Sequence, residues 1–420
     1  MRPSERGVSR REFVKAAVAI GGSAALSACL DRESPPDLQT GDPAAVPARQ
    51  HAWNDALARD DHGNVRMARH HVVLLLDYAD DGTPDESDRE TVDTALRGLE
   101  RAYQWDNEGL LFTVGYSPAY FARYDAALAG IDVPQPEALA PFEDPAPDEP
   151  DAIVHLASDY GSVVLGAEEA LLGERAQLNG VDVSGLDTVF DRTDRRTGFI
   201  GAGLPAENQA VEGIPDDEPV DEDAPLFMGF KSGFEKNQAS EDSVTITEGP
   251  FADGTTQHLS KITLHLDQWY EQDSRSQRVA KMFCPAHAEE DRVEGVGDNL
   301  GDSSQLGECP AHVEEDARTS GMIGHSQKAA RAREDDAPRI LRRDFDSTDG
   351  GQAGLHFLSI QRSITDFVET RKAMNGTDVS EDASVGTRLN NGILQYMTVE
   401  RRGNYLLPPR SLRALPRPDP

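Results

Sequence analysis

The chain has 420 residues, enough for two domains at about 100–200 residues each, and sets 41 Lys+Arg against 75 Asp+Glu for a formal charge of −34. That balance excludes a nucleic-acid partner, which requires positive charge to neutralise phosphates; hydrophobic residues at 38% still allow a buried core. Lysine occupies seven positions, from Lys15 to Lys372, so the basic residues are nearly all arginine. An acid-rich, lysine-poor surface suits concentrated salt, where the screening length falls to about 3 Å and self-repulsion becomes tolerable.

Ser9-Arg10-Arg11-Glu12-Phe13-Val14-Lys15 reads as a twin-arginine export signal, followed by an apolar small-residue run over 16–28. That run is too short for a membrane-spanning helix, which needs about 20 residues. Leu26-Ser27-Ala28-Cys29 has the form of a lipobox, with Cys29 as the candidate lipidated residue; an ordinary signal cleavage is the alternative. Residues 29–69, rich in Pro, Asp and Ala, read as a disordered tether. The twin-arginine route carries folded proteins, often with a cofactor already inserted, so a cofactor protein is the leading class.

Regular structure is expected from residue 70. Residues 71–76 form a continuous apolar run suited to a buried strand, and Ser87 with Glu90 suggests a capping box ahead of Val92, Leu96, Leu99 and Tyr103 at helical spacing. Strands are expected at 110–114, 153–156 and 188–190, with a helix over 162–172. This β-α-β, β-α-β order predicts a ferredoxin-like α+β domain over 70–211. An acidic linker at 212–223 precedes a second domain over 224–420, with strands at 259–266, 355–360 and 393–399 and a helix carrying Ile364, Phe367 and Val368.

Within this second half, Pro225-Leu226-Phe227-Met228-Gly229-Phe230-Lys231-Ser232-Gly233 resembles the G-F-x-D-G signature of dye-decolourising (DyP-type) haem peroxidases. Further blocks follow in family order: 254–269, Gly324-His325-Ser326-Gln327-Lys328, Arg339-Ile340-Leu341-Arg342-Arg343, Gly354-Leu355-His356-Phe357 and Gly403-Asn404-Tyr405-Leu406-Leu407-Pro408-Pro409. The resemblance covers roughly residues 226–409, as a divergent, haloarchaeal branch. It implies two ferredoxin-like domains with antiparallel sheets, forming a dimeric α+β barrel, and haem b as cofactor. It also implies His325 as ligand of the haem iron, Arg342 as the residue that stabilises charge on peroxide, and Gly229, Phe230 and Gly233 as the turn against the cofactor. Read alone, His325 is a polar loop histidine, Arg342-Arg343 a solvated basic pair, and the two glycines a plain turn.

The chemistry suits those residue types. Haem iron takes one axial imidazole, made more basic by a carboxylate on its other nitrogen. Peroxide cleavage needs a proton moved between its oxygens and a cation beside the developing charge. The sequence departs from the family at Ser232, which stands where the signature has its acid; a hydroxyl orients peroxide but does not shuttle protons near neutral pH. Asp344, two residues past Arg342, is the candidate substitute.

Cys284-Pro285-Ala286-His287 recurs as Cys309-Pro310-Ala311-His312. Two C-x-x-H pairs supply the four N/S ligands of a tetrahedral zinc site, whereas an exported protein has use for a Cys284–Cys309 disulfide; unrelated loop cysteines are the third reading. Walker-type, dinucleotide-binding and H-E-x-x-H motifs are missing from the sequence. The leading expectation is an exported peroxidase using hydrogen peroxide and an unidentified electron donor. It would be lipid-anchored at the cell surface or extracellular, touch the membrane only through that anchor, and have a homo-oligomer as its candidate assembly. The alternative is a non-catalytic haem- or zinc-binding cell-surface protein that keeps the fold.

Overall fold

The computed structural model describes residues 37–380 and 385–420; the twin-arginine segment, the apolar run after it and Cys29 lie outside the described residues. The first half comprises β1 (His70–Tyr78), α1 (Glu86–Ala102), β2 (Leu111–Tyr116), β3 (Ala152–Ser158), α2 (Gly161–Leu171) and β4 (Phe190–Phe199). β1 carries an unbroken apolar run from Val72 to Leu76 because both of its faces are covered there. Val72, Leu74 and Leu76 pack with Leu96, Leu99 and Val163 under the helices, while Val73 and Leu75 point the other way, against Leu259, Leu358 and Tyr405 of the second half.

α1 begins two residues earlier than its expected cap. Asp85 accepts from the Asp88 amide at 3.1 Å and Asp88 accepts from the Asp85 amide at 2.8 Å, because carboxylates three apart fill both roles of a capping box. Ser87 and Glu90 lie inside the helix, their carbonyls accepting from the Thr91 and Thr94 hydroxyls.

The second half comprises β5 (Thr255–Leu264), α3 (Arg275–Met282), α4 (His325–Ala329), β6 (Leu341–Arg342), β7 (Phe345–Ser347), β8 (Gly354–Gln361), α5 (Ile364–Asn375) and β9 (Met397–Leu407). Strand order is β7-β4-β1-β3-β2-β9-β5-β8-β6, and a further β7–β8 pairing closes the sheet into an antiparallel barrel. Each half thus contributes strands in the 4-1-3-2 order of a ferredoxin-like unit. The halves are stitched at two narrow seams, Leu406 opposite Tyr116 and Asp346 opposite Phe199. The expected α+β barrel of two ferredoxin-like parts is therefore the observed fold. Two strands start later than expected: β4 at Phe190, and β9 at Met397 after a turn over Leu394–Tyr396.

The expected tether is structure from residue 37 onward. His51 and Trp53 have no exposed surface. The Gln50 side chain donates to the carbonyls of Val114 and Pro408 at 3.1 and 2.8 Å and accepts from the Val114 amide at 2.9 Å. The Pro- and Asp-rich composition concealed a few apolar anchors, Val46, Trp53 and Leu57. The acidic stretch 212–223 is likewise docked rather than a free linker: Ile214 and Val220 are buried, and Gly213 accepts from the Leu266 amide at 2.7 Å. No helix among the described residues is long and apolar enough to cross a membrane.

Candidate functional site

β6 and β7 lie along one edge of β8 in a single register: Leu341 faces Ile360, Arg342 faces Ser359, Phe345 faces His356 and Asp346 faces Leu355. The Arg343 amide continues the ladder to the Leu358 carbonyl at 2.8 Å. Side chains alternate across this edge. Arg343 and Phe345 turn into the barrel, where the guanidinium lies 4.4 Å from the centre of the Trp53 ring and Phe345 stacks on His71 at 4.5 Å. Arg342, Asp344 and Asp346 turn outward, into a cavity between the second half-sheet and its helices.

That cavity opens to solvent on one side. Its walls are largely apolar, with Ile262, Phe357, Phe283 and four methionines, Met228, Met282, Met374 and Met397. Phe230 lines it and is held edge-on by Phe283 and Trp269. Ser232 lines it too. Gly229 and Gly233 have φ of 80° and 75°, so the expected glycine turn is real and requires residues without a Cβ; it positions Phe230 and Ser232 rather than touching the cavity itself.

His325, the first residue of α4, faces the cavity. Among the described residues its ring makes no hydrogen bond, and no carboxylate backs it. Burial, then the charges of Arg342, Lys328 and Arg371, push its pKa down to about 3, so the imidazole is neutral with a nitrogen lone pair free. The turn is fixed from several sides. Gln327 accepts from the Gly324 amide at 2.9 Å and donates to the Cys309 carbonyl at 2.7 Å. Gly392, at φ 61°, leaves so little room that a Cβ there would stand 3.1 Å from the His325 backbone.

Asp344 Oδ2 stands 3.7 Å from Arg342 Nη1, and Asp344 Oδ1 is buried without a partner. Burial raises the Asp344 pKa, with Arg342 opposing. Asp346 is raised well above the usual carboxylate range, first by burial and further by the Asp344 charge, although the Phe227 amide donates to it. Sequence reasoning missed Asp346; its period-two relation to Arg342 and Asp344 was the available signal. The structure brings His325, Arg342, Asp344, Ser232 and Phe230 to one cavity.

The two C-x-x-H pairs do not form a four-ligand zinc site. Cys284 and Cys309 are joined as a disulfide. His287 is buried beside them, its Nδ1 3.1 Å from Cys284 Sγ, but His312 is exposed and pairs with Glu315 at 3.0 Å. The second motif caps the short helix Val313–Thr319 at the surface, which turns His312 outward.

No curated protein matches the chain. Solved structures similar to it include a dye-decolorizing protein from V. cholerae, at 11% identity over 86% of this chain and 99% of that one with a TM-score of 0.54. The encapsulated DyP-type peroxidase from Mycobacterium smegmatis is similar at 12% identity over 87% and 100%, TM-score 0.56. A DypB variant from Rhodococcus jostii in complex with heme is similar at 14% identity over 87% and 97%, TM-score 0.53. At such identities the likeness establishes the shared fold. The profile described as "Family of unknown function (DUF7405)" matches residues 68–409, nearly the whole of the barrel and its cavity, and on that match the chain belongs to DUF7405.

Proposed function

We propose that this chain is an exported haem protein of the dye-decolourising type that reduces hydrogen peroxide at the expense of an unidentified electron donor. The observation that carries the reading is His325: an imidazole whose ring makes no hydrogen bond among the described residues, in an apolar cavity that also holds Arg342 and Asp344. These residues fit haem b. The methionine and phenylalanine walls suit a porphyrin's faces, and His325 would hold its iron through a ring nitrogen. When bound, haem would supply the redox-active iron at which the peroxide O–O bond is broken and donor electrons are received.

The chain's own part is binding, polarisation and proton movement. His325 would hold the group through a ring nitrogen. Arg342 offers a permanent positive charge and planar N–H donors to the peroxide oxygen on which charge develops. Asp344 Oδ1, buried with no hydrogen-bond partner among the described residues, would take the proton from one peroxide oxygen and return it to the other. Its raised pKa favours holding that proton between the two events. Ser232 orients the peroxide, and the apolar walls exclude bulk water. Export by the twin-arginine signal at 9–15, with lipid attachment at Cys29 or release outside the cell, completes the reading; Arg10→Lys with Arg11→Lys should hold the protein in the cytoplasm.

The experiment is absorbance of purified, haem-reconstituted protein. A Soret band that His325→Ala shifts or weakens supports the ligand assignment, and an unchanged spectrum removes it. A second reading, a haem-binding protein without turnover, is favoured by Ser232 in place of the signature's acid and by the lack of a carboxylate behind His325. Dye oxidation with peroxide separates the two.

A further inference from the structure

We propose that the Cys284–Cys309 disulfide positions His325, so that the redox state of this pair governs how the imidazole is presented to the cavity. The inference rests on the reading of His325 as the axial ligand, and its geometry is independent of the Asp344 chemistry.

Both cysteines press on the turn that carries His325. On the first side, Gly324 lies flat on the peptide between Phe283 and Cys284: a Cβ at 324 would stand 1.8 Å from the Phe283 carbonyl oxygen and 2.9 Å from the Cys284 nitrogen. The Gln327 amide donates to that same Phe283 carbonyl at 3.2 Å. On the second side, the Gln327 side chain donates to the Cys309 carbonyl at 2.7 Å while accepting from the Gly324 amide at 2.9 Å. Gln327 is fully buried. The residue before His325 and the residue two after it are thus tied to the two ends of one covalent bridge. That bridge spans 25 positions of chain, including Ser304, which borders the cavity.

His287 makes the pair responsive. Its Nε2 lies 2.9 Å from the Ser304 carbonyl, an acceptor only, so Nε2 carries the proton and Nδ1 presents a lone pair, 3.1 Å from Cys284 Sγ and 3.9 Å from Cys309 Sγ. Reduction by a small dithiol transfers two electrons and two protons: the dithiol closes to its own disulfide and each cysteine gains a hydrogen. His287 Nδ1 then accepts from the Cys284 thiol and stabilises the opened state. Glu308 and Pro310 line a groove open to solvent, which gives a dithiol access next to Cys309. With the bridge open, the Cys309 carbonyl is no longer fixed relative to the Phe283–Cys284 peptide, and the two anchors that Gly324 and Gln327 engage are free to move apart.

The test compares the native protein, the native protein reduced with dithiothreitol, and Gln327→Ala with the disulfide intact. Amide hydrogen exchange of peptides covering 322–330 is followed without haem, and the axial-imidazole signature in electron paramagnetic resonance with haem. Reduction and Gln327→Ala should each accelerate exchange across 322–330 several-fold while peptides of β1 and β3 stay unchanged. The haem signature should shift on reduction and return on reoxidation. Equal exchange before and after reduction, or a signature that ignores the bridge while still depending on His325, overturns the proposal. If His325→Ala leaves the haem spectrum unaltered, it is the ligand reading that fails, and the exchange arm still decides whether the bridge holds the turn.

Discussion

Asp344 follows Arg342 by two residues on one sheet edge, and the two meet at 3.7 Å through Oδ2, while Oδ1 is buried with no hydrogen-bond partner among the described residues. Under the proposed function, a carboxylate in that position would replace the acid that Ser232 cannot supply. Asp344 must be ionised to accept the peroxide proton, and burial raises its pKa; turnover should therefore climb with pH through that raised value and fall away on the acid side. Asp344→Asn should lower turnover by about 10²–10⁴-fold with the Soret band retained. Steady-state rates that match the parent's would remove Asp344 from the mechanism.

Gly392 tests how tightly the imidazole is held. Its φ of 61° and the 3.1 Å approach of a Cβ to the His325 backbone make Gly392→Ala costly twice over, by about 1–3 kcal/mol for the backbone conformation and by displacement of α4. The expected outcome is a lower melting temperature together with weaker haem retention. A variant melting like the parent would mean that the loop yields freely.

Trp53 anchors residues 37–69 onto the barrel under the Arg343 guanidinium. Trp53→Ala should destabilise by about 3–5 kcal/mol, and deletion of residues 1–69 should leave the rest insoluble. Urea unfolding of the parent and Trp53→Ala proteins measures the difference.

Buried imidazoles set an acid limit. His51 and His71 are pushed down to about 3, chiefly by burial. His71 donates from Nε2 to the Ala68 carbonyl, which leaves Nδ1 to accept from His155 at 2.9 Å. These groups refuse protons that the unfolded chain accepts below about pH 6.5, so their contribution to stability is present above that value and is lost as pH falls toward 3. His312 is shifted the other way by Glu315. Nitrogen-15 spectra between pH 7.5 and 5 should show His312 gaining its proton while His71 stays neutral; a titrating His71 would contradict its buried pairing.

Much of this was legible in the residue pattern, and the failures have physical causes. The run at 71–76 announced a strand because both faces of β1 are buried, and the ordered blocks from 226 to 409 located the cavity residues. Residues 37–69 misled because Trp53 and Gln50 work through long-range contacts to Arg343, Val114 and Pro408 that composition does not register. The duplicated C-x-x-H left zinc, a Cys284–Cys309 disulfide and unrelated cysteines open, and the disulfide is the one that formed. Identical tetrapeptides landed in different surroundings, one against the Phe283 ring and the other at the surface beside Glu315. Asp346 was overlooked because a lone acid in an acid-rich chain carries no signal until the strand's alternation is known.

The chain's last residues complete the first half's core: Leu406 and Leu415 are fully buried there, and the Tyr116 hydroxyl donates to the Arg413 carbonyl at 2.6 Å. Translation proceeds at about 5–20 residues per second, so β1 emerges roughly twenty to seventy seconds before the segment that seals it. Closure of the barrel consequently waits on the segment from 397 to 415, and throughout that delay the nascent strand at 71–76 is an open invitation to chaperones.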